Sequence, residues 1–229
     1  MFFLPLPIIY AIFTLIGFLL GWSTVKLIKA IAKTPRYVDK EYKDRLVISL
    51  YGAASSGKSS GGKALFGIDN GTIHPIPGTT KKVSVCTLPQ GMSVADTPGL
   101  QDTNEELVKR AKNFIDNVDI FIYVINLNGG VTKKVKADLL LLKEVKRPLA
   151  VVLNKIDTID SKKRDEFIGH QKSVVESIHP WKFFTVAFDP LPQISKKPIN
   201  VVQVLDWVTS TVKEKGNELL KEKQNAEVI

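Results

Sequence analysis

Gly52-Ala53-Ala54-Ser55-Ser56-Gly57-Lys58-Ser59 is the stretch on which the reading of this chain turns. It fits the spacing G-x-x-x-x-G-K-[ST] at every position. An apolar run, Leu46–Tyr51, precedes it and a helical pattern follows, which is the context such a loop needs. Glycines at Gly52 and Gly57 let successive backbone N–H groups turn inward at a helix N-terminus, where they form an anion cradle. Ser55, Ser56 and Ser60 complete the candidate phosphate-facing segment. Lys58 is placed to reach β- and γ-phosphates, and the Ser59 hydroxyl to ligate Mg²⁺.

Working outward, the flanking sequence alternates short apolar runs with helical periodicity. The runs are Leu46–Tyr51, Val83–Leu88, Met92–Ala95, Ile120–Leu127, Leu149–Leu153 and Phe183–Ala187. Helical patterns cover Asn104–Asn117, Thr132–Lys146, Ser161–Ile178 and Val201–Lys223. Near-continuous Val/Ile-rich runs separated by helices predict an α/β fold, a mainly parallel six-stranded sheet with helices on both faces.

Two further motifs close strands of that sheet. Asp96-Thr97-Pro98-Gly99 follows the third run. A carboxylate there can hold the hydration shell of Mg²⁺, and the unhindered Gly99 N–H can bond a γ-phosphate. Asn154-Lys155-Ile156-Asp157 follows the fifth run. Asp157 can accept from a base offering an N–H beside an exocyclic amine, as guanine does and adenine does not. Lys155 can lie along the base plane, and Asn154 can brace the phosphate loop. Taken alone, each motif is compatible with an ordinary turn or helix cap. Their order, each at the carboxyl end of an expected strand, is what points to a nucleotide site.

Over residues 45–213 these motifs resemble the translation-factor-related class of P-loop GTPases, and within it the Era-like group with its TrmE and HSR1-type members. The resemblance implies a P-loop NTPase fold, GTP or GDP with Mg²⁺ as ligands, and GTP hydrolysis. It also implies a switch I threonine at Thr79 or Thr80, after Pro77-Gly78, that completes the Mg²⁺ shell. The last base-contacting loop falls at Val186-Ala187-Phe188, with the Ala187 N–H directed at the guanine O6. Lys58, Thr79, Thr80 and Gly99 are then the candidate catalytic residues, and Ser59, Thr79, Thr80 and Asp96 the metal set. Three departures from the pattern stand out, the last a pair of glycines. Leu100 stands where Ras-type enzymes carry the glutamine that orients water, and Ser55 where potassium-activated members carry asparagine. Gly61 and Gly62 occupy the first turns of the helix after the loop, at about 1 kcal/mol each relative to alanine. Close packing against a neighbouring element would account for them.

The ends of the chain read differently. From Phe2 to Val25 there is no charged residue, and these 24 positions would span about 36 Å as a helix against a hydrocarbon core of about 30 Å. A cleaved leader would need a basic start and a small-x-small site, and a surface helix a polar face. Neither is present, so a transmembrane helix is expected over 1–25. Residues 26–45 hold seven basic and three acidic side chains, so the positive-inside rule puts the N-terminus outside and the remainder in the cytoplasm. The expected organisation is an anchor at 1–25, a basic juxtamembrane linker at 26–44, a G domain at 45–215 and a charged helical tail at 216–229.

The net charge of +9 is spread thinly beyond that cluster, with no arginine-rich tract or aromatic-basic interleaving. Guanine nucleotide and a lipid bilayer are therefore the expected partners, ahead of RNA or a ribosome. Gly17 and Gly21 offer one route to a homodimer. A single cysteine, Cys86, excludes an intramolecular disulfide.

Overall fold

The computed structural model describes residues 35–68, 74–75, 84–87, 93–96 and 114–228, with side chains for 35–68 and 114–228. The expected anchor at 1–25 lies outside the described residues, as do Thr79, Thr80, Gly99 and Leu100. Among the described residues no helix is long and apolar enough to cross a membrane.

Residues 35–229 form one compact unit. Its strands are β1 (Tyr37–Val38), β2 (Val47–Tyr51), β3 (His74–Pro75), β4 (Ser84–Thr87), β5 (Ser93–Asp96), β6 (Ile120–Asn126), β7 (Leu149–Asn154), β8 (Lys182–Val186) and β9 (Glu227–Val228). The α-helices among the described elements are α1 (Lys58–Phe66), α2 (Lys133–Val145), α3 (Ser161–Glu176) and α4 (Val201–Gln224). The main sheet runs β3-β4-β5-β2-β6-β7-β8. β5, β2, β6, β7 and β8 are parallel, while β4 pairs antiparallel with β5 and with β3. The expectation of six strands is thus corrected to seven among the described residues. β3 is two residues long and includes a proline, too short for any alternation to mark it in sequence.

Period-2 alternation along β6 splits the core in two. Phe121, Tyr123 and Ile125 pack on one face with Val135, Leu139 and Leu142 of α2 and Val175 of α3. Ile120, Ile122 and Val124 pack on the other with Leu65 of α1 and Val204, Val208 and Leu219 of α4. Helices cover both faces, as the sequence requires. Local chemistry sets their ends: Thr132 caps α2 by accepting from the Val135 N–H at 3.3 Å, and Asp160 caps α3 by accepting from the Lys162 N–H at 2.8 Å.

Parts of the spans read as linker and tail pack against the domain. Residues 35–44 are folded into the domain, with Val38 and Tyr42 buried. α4 continues to Gln224, and β9 then pairs in parallel with β1. A network of charges ties these segments together. Asp119, fully buried, receives Arg36 Nη2 at 2.7 Å, Lys223 Nζ at 2.6 Å and the Val47 N–H at 2.8 Å. Lys223 Nζ also donates to the Arg45 and Asn117 carbonyls at 3.0 and 2.7 Å. Arg36 Nε donates to the Asp116 carbonyl at 2.7 Å, and Asp39 and Asn117 exchange two hydrogen bonds.

Burial pushes the Lys223 ammonium down to about 8, against the pull of Asp119. The folded value lies below the 10.5 of the free side chain, so between about pH 8 and 10.5 the unfolded chain binds more protons. This group's contribution to stability therefore rises with pH across that window, by about 2 kcal/mol between pH 8 and 10. Urea titrations at pH 7.5 and 9.5 check this. The gain in midpoint is expected in the native chain and absent in Lys223→Met.

Candidate nucleotide-binding site

The candidate residues that the structure describes gather at the carboxyl ends of β5, β2, β7 and β8. Gly52 follows β2 with φ 143°, and a methyl group there would lie 2.3 Å from the Val124 carbonyl oxygen on β6. No side chain fits at Gly52. Ser55 takes φ 59° and Gly57 φ 95°, both left-handed, which curls the loop before α1 begins. A methyl group on Gly57 would meet Asn154 Nδ2 at 2.2 Å. Ser56 is buried, Ser55 and Ser59 are exposed, and Ser60 is half-buried.

Gly57 caps α1 without a side-chain hydrogen bond. Lys58 is buried, and its Nζ donates to the Gly52 and Ala53 carbonyls at 3.1 and 3.0 Å. Those bonds hold the ammonium against the loop that a phosphate group would occupy. β5 is in register with β2 so that Asp96 sits opposite Leu50, two residues before Gly52. A hydroxyl on the second residue of α1 and a carboxylate at the neighbouring strand end are the hard oxygen donors that Mg²⁺ prefers.

On the other side, Asn154 ends β7 and bridges two loops. Its Nδ2 donates to the Ser56 carbonyl at 2.9 Å, and its Oδ1 accepts from the Phe188 N–H at 3.0 Å. Lys155 adopts φ 67° and opens a 3₁₀ turn, Ile156–Thr158, that carries Asp157. Asp157 Oδ2 accepts from the Leu191 N–H at 2.8 Å, while Oδ1 is buried with no hydrogen-bond partner. An unpaired carboxylate oxygen sealed from water carries a cost that a base bringing N–H donors would remove.

The brace expected of Asn154 is present. Asn154→Ala removes one partner from each of two buried backbone groups and is expected to cost about 3 kcal/mol. Urea unfolding without nucleotide reads this as a lowered midpoint at unchanged slope.

One expectation is corrected. The Ala187 N–H does not face a base, because it donates to the Ile199 carbonyl at 3.2 Å, and the Ala187 carbonyl accepts from the Ile199 N–H at 2.9 Å. This bridge pins the start of the last loop to its end and uses the donor. Two participants went unrecognised in sequence, the Phe188 and Leu191 amides. Backbone donors carry no residue-type signature, so no pattern could have found them.

Fold, loop and base-side carboxylate define a P-loop nucleotide-binding domain. Comparison with known proteins places it further. A family model described as 50S ribosome-binding GTPase matches residues 47–155. GTPase Der of Persephonella marina is 27% identical over 169 residues, covering 69% of this chain and 36% of that protein. The tRNA modification GTPase MnmE of Protochlamydia amoebophila is 34% identical over 122 residues, covering 50% and 26%. Among solved structures, a chain of an oligomerised bacterial dynamin pair superposes with a TM-score of 0.55 at 15% identity, covering 88% of this chain and 45% of that one. That likeness shows the fold. Over residues 47–155 the domain is similar to GTPases of the family so described, and the chain spans well under half the length of the curated relatives named here.

Proposed function

We propose that this chain is a membrane-anchored GTP-binding protein that hydrolyses GTP slowly to GDP and acts as a switch on the cytoplasmic membrane face. The observation that carries the reading is the grouping, along the carboxyl ends of the parallel strands, of the Gly52–Ser59 loop, Asp96 and a buried Asp157 whose Oδ1 lacks a partner. The likeness to proteins named as GTPases supports it. Lys58 and the loop amides bind and orient the phosphates, and Asn154 holds the loop in register with the base side. Ser59 and Asp96, with Thr79 or Thr80, would hold Mg²⁺, which neutralises phosphate charge when bound. Leu100 brings no group able to orient water, so unaided turnover is slow. Charge-free Phe2–Val25, followed by the basic cluster, supplies the anchor and its orientation.

Equilibrium binding of GTP against ATP, followed by single-turnover cleavage, tests the biochemical part. Equal affinities overturn the guanine reading. Binding without cleavage turns the protein into a nucleotide-gated recruitment module, in which γ-phosphate contacts alone order the switch segments. Vesicle flotation of the whole chain and of a chain lacking residues 1–25 tests the anchor, since only the former should float. If the truncated chain instead bound RNA with steep salt dependence, the ribosomal role named for the matching family would displace the membrane one.

A further inference from the structure

Phe188 stands at the junction of the two halves of the site and touches both. It is 3% exposed, the residue after the Ala187·Ile199 bridge. Its N–H donates to Asn154 Oδ1 at 3.0 Å, and Asn154 Nδ2 in turn holds the Ser56 carbonyl at 2.9 Å. Its ring lies over Gly61, on the first turn of α1. A methyl carbon on Gly61 would fall 2.9 Å from Phe188 Cε2, 3.1 Å from Cδ2 and 3.3 Å from Cζ. A 2.9 Å contact, with two more at 3.1 and 3.3 Å, to the flank of a buried ring whose backbone is hydrogen-bonded requires the ring to shift.

Glycine at position 61 is therefore required by Phe188. Gly62 differs, since a methyl group there would meet Leu50 Cδ1 at an ordinary 3.6 Å. Three residues beyond Phe188, the Leu191 N–H holds Asp157 Oδ2 at 2.8 Å. One short loop thus presses on the helix that starts at the phosphate loop and also sets the carboxylate that faces the base. We propose that Phe188 is a positioning residue that couples phosphate binding to base reading: its ring, seated on Gly61, fixes the distance between α1 and the Asp157 carboxylate. The proposal rests on the guanine reading of Asp157.

With the wedge in place, the phosphate and base contacts form together on one ligand. Without it, each half binds but the two are no longer held at the spacing of a single nucleotide. The loss is thus cooperative, not local.

Affinities for GDP, GMP and IDP, the last lacking the exocyclic amine of guanine, are measured on the whole chain. The chains are native, Gly61→Ala, Phe188→Ala, Phe188→Leu and the pair Gly61→Ala/Phe188→Leu. Nucleotide-free thermal unfolding identifies the variants that fold. Gly61→Ala and Phe188→Ala are expected to weaken GDP binding roughly ten-fold, and to shrink the GDP/GMP and GDP/IDP preferences together. Phe188→Leu should change each preference by no more than about two-fold. The pair should recover most of what Gly61→Ala loses, because the smaller side chain admits the methyl group.

The proposal is overturned if folded Gly61→Ala or Phe188→Ala keeps both preferences, if only one preference falls, or if the losses in the pair simply add. Should Gly61→Ala and Phe188→Ala both fail to fold, an effect of Phe188→Leu on only one preference overturns it, and a small equal fall in both sustains it. Failure of the guanine reading itself appears separately, as a native chain that does not favour GDP over IDP.

Discussion

Asp157→Asn is expected to abolish the preference for guanine, weakening GDP binding by 10² to 10³-fold and leaving ADP binding as weak as before. The direction follows from which carboxylate oxygen is already engaged. Oδ2 accepts from the Leu191 N–H at 2.8 Å, and Oδ1 is the buried, unpartnered atom. An asparagine in this position keeps its carbonyl oxygen on the Leu191 N–H, because that amide is a donor and needs an acceptor. Its amide nitrogen then stands where Oδ1 stood and opposes the N–H groups of guanine, donor against donor.

Two effects add. The charge-assisted bonds are lost, and the amine hydrogens of both partners are left unpaired in a site sealed from water. Xanthine carries a carbonyl where guanine carries its amine, so XDP should gain on GDP in the same variant. Competition of GDP, XDP and ADP against a fluorescent nucleotide measures all three. An unchanged GDP/ADP ratio would remove Asp157 from base recognition and with it the reason to prefer GTP as substrate.

The parts of this site that were legible in sequence are those fixed by side-chain type and spacing. Gly52 and Gly57 announce their left-handed backbone and tight clearances, and Asn154 and Asp157 announce their chemistry by following a Val/Leu run. The parallel order of β5, β2, β6, β7 and β8 followed from buried runs alternating with helices. What stayed hidden depends on backbone groups or on distance in sequence. The Ala187 N–H was assigned to a base by its place in a loose motif, whereas a pairing 12 residues away, to Ile199, consumes it. Glycines at 61 and 62 looked alike in the helix pattern, and only the ring of Phe188 distinguishes them.

The same limit explains residues 35–44 and 216–229. Read along the chain, Arg36, Asp39 and Lys223 are charges in charged surroundings, and a linker and a solvated tail are the natural expectation. Their partners Asp116, Asn117 and Asp119 lie some 80 to 100 residues away in sequence. Hydropathy averages such groups as polar, although Lys223 and Asp119 are among the least exposed side chains of the domain.

Asp119→Ala is accordingly expected to be the most destabilising single change away from the nucleotide loops, at about 3–5 kcal/mol. The side chains of Asp119 and Lys223 are both 0% exposed, so solvent screening does not reduce the figure. Removing the carboxylate withdraws the counter-charge from Lys223 and from Arg36 and leaves the Val47 N–H, at the start of β2, without its 2.8 Å acceptor. Lys223 can answer by giving up its proton, since burial already pushes it down to about 8, and this caps the charge penalty. The orphaned amide and the void left by the carboxylate have no such escape.

Lys223→Met should cost less. Asp119 then keeps Arg36 and the Val47 N–H, and the methionine stem fills much of the volume of the lysine. Chemical denaturation at pH 7 of the two single variants and of Asp119→Ala/Lys223→Met gives the coupling directly. The double variant should lose less than the sum of the singles, because no unpaired ammonium remains in it. Additive losses would mean that the two side chains do not act as a pair, and that the packing of α4 alone closes this end of the domain.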